Sequence, residues 1–199
     1  LARAQSEMGD TVVVVGGDPD RMQAALDGSG VGFARGDSTA DVLAALWAGL
    51  RLADVAHVHM TEAELAVTGV QRLRRHRTAI VATRHFAQHR GASRLGARVS
   101  PFIGRHIDAQ IAISQFVADR IEGDATVIHP GVPAATKARV EREPVILMAQ
   151  RLEEEKATDV ALRIFAESGL AAVGWRLELA GSGAFEDELR ELSSTLGLD

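Results

Sequence analysis

An arginine and a lysine five positions apart, Arg151 and Lys156, follow the apolar run VILMA (145–149) and precede a helical pattern. A loop that presents two cations at the end of a strand asks for an anion. Arginine offers a planar fork to phosphate oxygens and lysine a compact charge, and the first turn of the next helix adds unpaired N–H groups at the positive end of its dipole. That division of labour suits a diphosphate. The plain alternative is that Glu153, Glu154 and Glu155 pair with both cations, and the residues alone leave the two readings open. Downstream, RLELA (176–180) runs into Gly181–Ser182–Gly183 and a second helical pattern. Such a turn either lets backbone approach a ligand closely or simply joins strand to helix tightly.

All seven histidines fall between His57 and His129. His57 and His59 share one face of a strand, and His85 and His89 share one face if their stretch is helical. That spacing could begin a metal site, but after Glu64 the next acid is Asp108 and arginines flank the histidines, so no metal is expected. His59 reads as a polar cap at a strand end or as a substrate contact. His129 shapes the turn before Pro130 and Gly131, and Ser114 is an N-cap. Between Gln71 and Asp108 there are nine arginines and no acid. The stretch is either a solvated helix face with its loop or an electropositive wall for an anionic substrate. RNA ranks third, because only Phe86 and Phe102 there could stack on bases.

Positioning these groups requires a frame, and the sequence supplies one. Short β-branched runs at 11–15, 54–58, 79–83, 109–113, 126–129, 145–149 and 176–180 alternate with longer amphipathic stretches, as repeated βα units do. Several runs are continuously apolar, which suits a parallel sheet covered on both faces. Val42, Leu43, Leu46, Trp47 and Leu50 form one helical stripe and Phe185, Leu189, Leu192 and Leu196 another, and both read as core. The fold expected is a doubly wound α/β arrangement, with ligands beyond the carboxyl ends of the strands. A linker is expected over 134–143, between an N-terminal domain, 1–133, and the first half of a second, 144–199. LARAQSEMGD reads as the tail of a helix with no strand ahead of it, and the second unit has only two strands. Both ends are therefore expected to be clipped.

With 46% hydrophobic and 25% charged residues among 199, the chain is globular rather than disordered. It has no cysteine, which rules out disulfides and thiolate metal sites and leans towards the cytoplasm. There is no run of eighteen apolar residues and no signal-peptide layout. A net charge of −5 argues against a general nucleic-acid binder, so no specific nucleic-acid partner is expected.

VILMAQRLEEEKATDVALRIFAES resembles the strand–RL–K–helix segment of retaining glycosyltransferases with the GT-B fold, specifically glycosyltransferase family 4. MGDTVVVVGG, VAHVHMT, IVATRH, IAISQFVADRI and VIHPGVP follow the family's order of pieces. The resemblance implies two Rossmann-like domains and transfer of a sugar from a nucleotide-diphosphate sugar with retention of configuration. It implies no cofactor and no essential metal. Arg151 and Lys156 match the donor-diphosphate pair, with Gly181 and Gly183 on the same side, and His85 matches a histidine that faces the sugar. His59 and Arg84 fall on the acceptor side. The arginine-rich stretch suggests an anionic acceptor, such as a sugar phosphate or lipid headgroup, with peripheral membrane contact. Gln150 and Ala157 stand where the family commonly has glycine, and its later glutamate pair has no counterpart in these residues. A non-catalytic nucleotide-sugar or phosphate binder is the second reading. A sugar-nucleotide epimerase is the third, and the carboxylate and histidine constellation it would need is not evident.

Overall fold

In a computed structural model the strand and helix patterns become parallel β-structure with helices between strands, and the structure describes residues 1–91, 100–132 and 142–198. The chain divides into two compact units, Leu1–Pro133 and Ala134–Asp199. Residues 134–141 of the expected linker, with Arg94 and Arg98, lie outside the described residues.

The first unit begins with α1 (Ala2–Glu7), β1 (Val13–Val15), α2 (Pro19–Leu26) and β2 (Gly32–Ala34), and β1 and β2 pair in parallel. Then come α3 (Thr39–Gly49), a single 3-10 turn at Leu50–Leu52, β3 (Val55–His59), α4 (Thr61–Arg74) and β4 (Ala79–Arg84). Helical residues 100–104 (α5) precede β5 (Ala109–Ala112), and α6 (Gln115–Ala118) precedes β6 (Thr126–Val127). Strands β3-β4-β5-β6 form one parallel sheet in that order.

Helix starts follow local chemistry. The Asp18 carboxylate accepts the Arg21 N–H with Pro19 at the first helical position, and Ser38 and Asp41 form a reciprocal capping box. Ser114 caps α6 as its position predicts. The core of the sheet is built on β4, where Ile80 and Ala82 are fully buried and pack with Leu50, Val58, Val67 and Val70. Burying each larger side chain contributes about 1.5–3 kcal/mol.

Two expectations hold only in part. The stripe on α3 is core at its C-terminal end, where Leu50 is buried and Leu46 packs against the same cluster, while Leu43 and Trp47 are 40% and 49% exposed. Alanines at 44, 45 and 48 make this helix apolar nearly all round, so periodicity does not select the buried face; its packing on α4 does, and the Arg74 guanidinium sits over the Trp47 ring at 4.6 Å. Cover on both faces holds for β4 but not for β7, where Leu147 is 62% exposed. The sequence pattern also missed β2 and α2. The former is three residues long and starts on glycine, and the latter, PDRMQAAL, carries few large apolar residues.

The second unit runs β7 (Val145–Ala149), a 3-10 turn at Glu154–Lys156, α7 (Thr158–Glu167), a 3-10 turn at Leu170–Val173, β8 (Arg176–Ala180) and α8 (Glu186–Thr195). β7 and β8 pair in parallel from Val145 opposite Arg176 to Ala149 opposite Ala180. Here the expected stripe is core: Leu189 is buried with Leu152 and Leu162, and Phe185, Leu192 and Leu196 pack around them. Among the described residues no helix is long and apolar enough to cross a membrane.

Candidate functional site

In the first unit the chemistry-bearing residues gather where β3 and β4 end. Met60, at φ 75°, turns the chain from β3 straight into α4, whose first turn has no side-chain cap. The unpaired N–H groups of that turn border a cavity of roughly 450 Å³ that Thr61, Glu62, Arg84, His85 and His89 also line. Register places His59 beside Thr83, so the ring of His59 reaches His85 one step beyond β4: its Nδ1 lies 2.9 Å from His85 Nε2. His57 stacks on His59 with ring centroids 4.6 Å apart and bonds the Thr83 hydroxyl through Nε2 at 2.7 Å. Burial lowers the His57 pKa, with the His85 ring adding to it. Burial lowers that of His59 as well, and His57 and His85 act in the same direction. His129 bonds the Ile113 carbonyl through Nδ1 at 3.1 Å, consistent with a turn-shaping role.

Arg84 is 7% exposed and its guanidinium is engaged by protein: it donates to the Gln88 carbonyl at 2.7 Å, to Glu122 at 3.1 Å and to Gln110 at 3.3 Å. Arg90, 3% exposed, makes a two-pronged ion pair with Glu64 and also bonds Glu122 at 2.6 Å and Gln110 at 2.7 Å. Burial works against the Arg90 charge, but the Glu64 and Glu122 carboxylates outweigh it and hold its pKa raised. For Glu122, burial is likewise outweighed, by hydrogen bonding and by Arg84 and Arg90, and its pKa falls. This clasp joins α4, the loop after β4, β5 and the turn after α6. Sequence reasoning missed it, although a signal was present: Glu64 lies on the inward stripe with Val67, Thr68 and Gln71, and a carboxylate there needs a cation. The acid-free stretch is therefore not uniformly electropositive. Asp108 pairs with Arg77 at 2.7 Å, and Glu64 and Glu122 neutralise Arg84 and Arg90.

In the second unit the two βα loops are joined edge to edge. Gln150 N–H donates to the Ala180 carbonyl at 3.1 Å, Leu152 N–H to that of Ser182 at 3.0 Å, and Phe185 N–H to that of Leu152 at 2.9 Å. Gly181 and Gly183 have a packing reason to be glycine, because a Cβ on either would collide with the Gln150 or Leu152 carbonyl. Gln150 bridges strand end and helix start, donating to Thr158 Oγ1 at 2.9 Å and to the Lys156 carbonyl at 3.2 Å. Lys156 ends the 3-10 turn rather than opening the helix, and Ala157, left-handed at φ 50°, leads into α7 without a side-chain cap. Arg151 and Lys156 both lie at the carboxyl end of β7, and both are exposed. Arg151 donates to Glu155 at 2.7 Å, and Lys156 is 3.6 Å from the same carboxylate. Through Glu155, and with Glu153 3.9 Å from Arg151, the loop has in part the pairing that the sequence allowed as the alternative. The donor-side residues Arg151, Lys156, Gly181 and Gly183 are together in this unit, and His59, Arg84 and His85 are together in the other.

A Glycosyltransferase Family 4 model matches residues 1–136. A search of curated proteins returned no significant match. Among solved structures, the chain is similar to Anabaena Alr3699/HepE in complex with UDP and glucose, with 16% identity and a TM-score of 0.69, over 100% of this chain and 62% of that one. Similarity extends to the lipopolysaccharide outer core galactosyltransferase WaaB in its apo form, at 16% identity and a TM-score of 0.53, over 88% of this chain and 52% of that one. It extends also to a TarM variant from S. aureus in complex with Fondaparinux, alpha-GlcNAc-glycerol and UDP, at 11% identity and a TM-score of 0.50, over 61% of this chain and 27% of that one. The chain spans less than two thirds of the length of each. At such identities the likeness bears on fold, and the fold is GT-B. The parallel α/β frame and a family match over more than half of the residues lead to one conclusion: the chain belongs to Glycosyltransferase Family 4.

Proposed function

We propose that this protein transfers a sugar from a nucleotide-diphosphate sugar to an acceptor with retention of configuration, the second unit serving the donor and the first the acceptor. The observation that carries the reading is the pair Arg151 and Lys156 beyond the carboxyl end of β7, on a loop hydrogen-bonded to the Gly181–Gly183 turn and followed by an uncapped helix start. As the bond from the anomeric carbon to the diphosphate breaks, its electron pair goes to the phosphate oxygen. Two cations and the first turn of α7 stabilise that growing charge. The acceptor oxygen bonds to the same face of the sugar, and its proton passes to the departing diphosphate oxygen. These groups meet the diphosphate charge, so no metal and no cofactor is called on.

His85 is assigned to the transferred sugar and His59 to the acceptor side of the same cavity. Arg84 acts there indirectly, since its guanidinium holds the loop that follows His85. An anionic acceptor, a sugar phosphate or lipid headgroup, belongs to the same reading, and Arg72, Leu73 and Arg75, exposed at the end of α4 away from the cavity, support with exposed Trp47 peripheral contact with a membrane surface. A cytoplasmic location is part of the same reading.

The test is a transfer assay with the intact protein, UDP-, GDP- and ADP-sugars and a panel of phosphorylated acceptors, with product anomers read by NMR coupling. An α-linked product from an α-configured donor, undiminished by EDTA, is expected. An inverted product would refute retention, and tight donor binding without turnover would select the non-catalytic reading.

A further inference from the structure

The hydrogen bond between His59 and His85 joins Nδ1 of the first ring to Nε2 of the second at 2.9 Å. When both rings are neutral, this contact holds one proton, and its position fixes both tautomers. If His85 donates through Nε2–H, both rings are in the Nε2–H form, the commoner one for a free imidazole side chain. If His59 donates through Nδ1–H, both rings must adopt the less stable Nδ1–H form. The first arrangement costs less.

We infer that His59 is a positioning residue that locks His85 in the Nε2–H tautomer, leaving Nδ1 of His85 as a hydrogen-bond acceptor for a substrate hydroxyl. The inference rests on the reading above that His85 faces the transferred sugar. His59 is itself held in place: the His57 ring stacks on it, and His57 is tied to Thr83 Oγ1. Charged and titratable groups around the same cavity are Glu62, Glu64, Arg84 and His89. Of these, Glu64 and Arg84 are already paired within the clasp, so they are not free to set the His85 proton. A lone pair at Nδ1 takes a hydroxyl proton, whereas an N–H there would seek a carbonyl or a phosphate oxygen. The lock therefore selects what His85 can recognise.

Long-range proton–nitrogen NMR of the histidine rings in the intact 15N-labelled protein tests this directly. At neutral pH, His85 is expected to carry its proton on Nε2. His59→Phe keeps a ring for the stack and removes the acceptor, so His85 should relax towards a mixture of tautomers. Sugar transfer by His59→Phe should show kcat reduced about tenfold, the loss of roughly one hydrogen bond, with donor KM little changed. His59→Asn, which puts an amide acceptor near the place of Nδ1, should restore the tautomer and most of the rate. A proton on His85 Nδ1 in the unmodified protein, or a tautomer unmoved by His59→Phe, would overturn the lock, as would stoichiometric Zn²⁺ capture by the two rings at micromolar concentration. If the spectra behave as expected while His85→Ala transfers sugar at the normal rate, the hydroxyl-acceptor role falls and the sugar-facing reading falls with it.

Discussion

Arg151 Nη2 donates to Glu155 Oε1 at 2.7 Å, an ion pair with both side chains more than half exposed. The same carboxylate is 3.6 Å from Lys156, so one internal anion faces both cations of the proposed diphosphate site. A donor must displace it. Exposed pairs are worth only about 0.2–1 kcal/mol, which makes this contact a light competitor rather than a lock.

Glu155→Gln should therefore tighten nucleotide-diphosphate binding by about twofold to fivefold and steepen its salt dependence. Titration calorimetry at two ionic strengths reads both effects. Weaker binding in the variant would mean that Glu155 organises the loop instead of competing with the ligand.

Ala157 carries a Cβ in the left-handed region, at φ 50°, between the 3-10 turn and α7. Glycine removes a strain of about 1–2 kcal/mol and gives back part of it as unfolded-chain entropy. Ala157→Gly is expected to leave stability equal or up to about 1 kcal/mol higher, measured by urea unfolding. A loss of 1 kcal/mol would contradict the geometry.

The clasp predicts the opposite sign. Truncating Glu64 leaves the Arg90 guanidinium buried without its two-pronged partner, and breaking such a pair costs about 3–5 kcal/mol. Glu64→Ala should lower the urea midpoint of the first unit by a corresponding amount, while Glu155→Gln leaves it unchanged. A loss below 1 kcal/mol would show that Glu122 and Gln110 hold Arg90 adequately alone.

His57 and His59 have folded pKa values lowered from 6.5, so the unfolded chain takes up protons before the folded one does. Stability then falls as pH drops below about 6.5 towards the lowered values, and is fully present above that window. His57→Gln should flatten this slope between pH 7 and pH 5 in urea titrations. A slope unchanged by the substitution would place the proton uptake elsewhere.

Much of the frame was legible because most of its strands are short, largely apolar runs set off by longer amphipathic stretches. All seven strand candidates lie on observed strands, and Ser114 caps the helix that its position predicts. What escaped was non-local. The Arg90 clasp joins residues 26 and 32 positions apart, and no reading of a charge run can tell which arginines meet distant acids. The His59–His85 bond spans 26 positions and depends on strand order and register. By contrast, Arg151, Lys156 and Glu155 are close in sequence, and both of their competing pairings could be written down beforehand. Gln150 and Ala157 were legible as departures, and only the structure gave Gln150 its bridge to Thr158 and Ala157 its left-handed backbone.

The most direct measurement is calorimetric titration of UDP, GDP and ADP into the intact protein, alongside Arg151→Ala and Lys156→Ala. The account predicts micromolar binding of one nucleotide diphosphate, weakened about tenfold or more in each variant. If none of the three binds, or if one binds equally well to both variants, the two cations are a surface salt-bridge cluster and the proposed donor site is wrong.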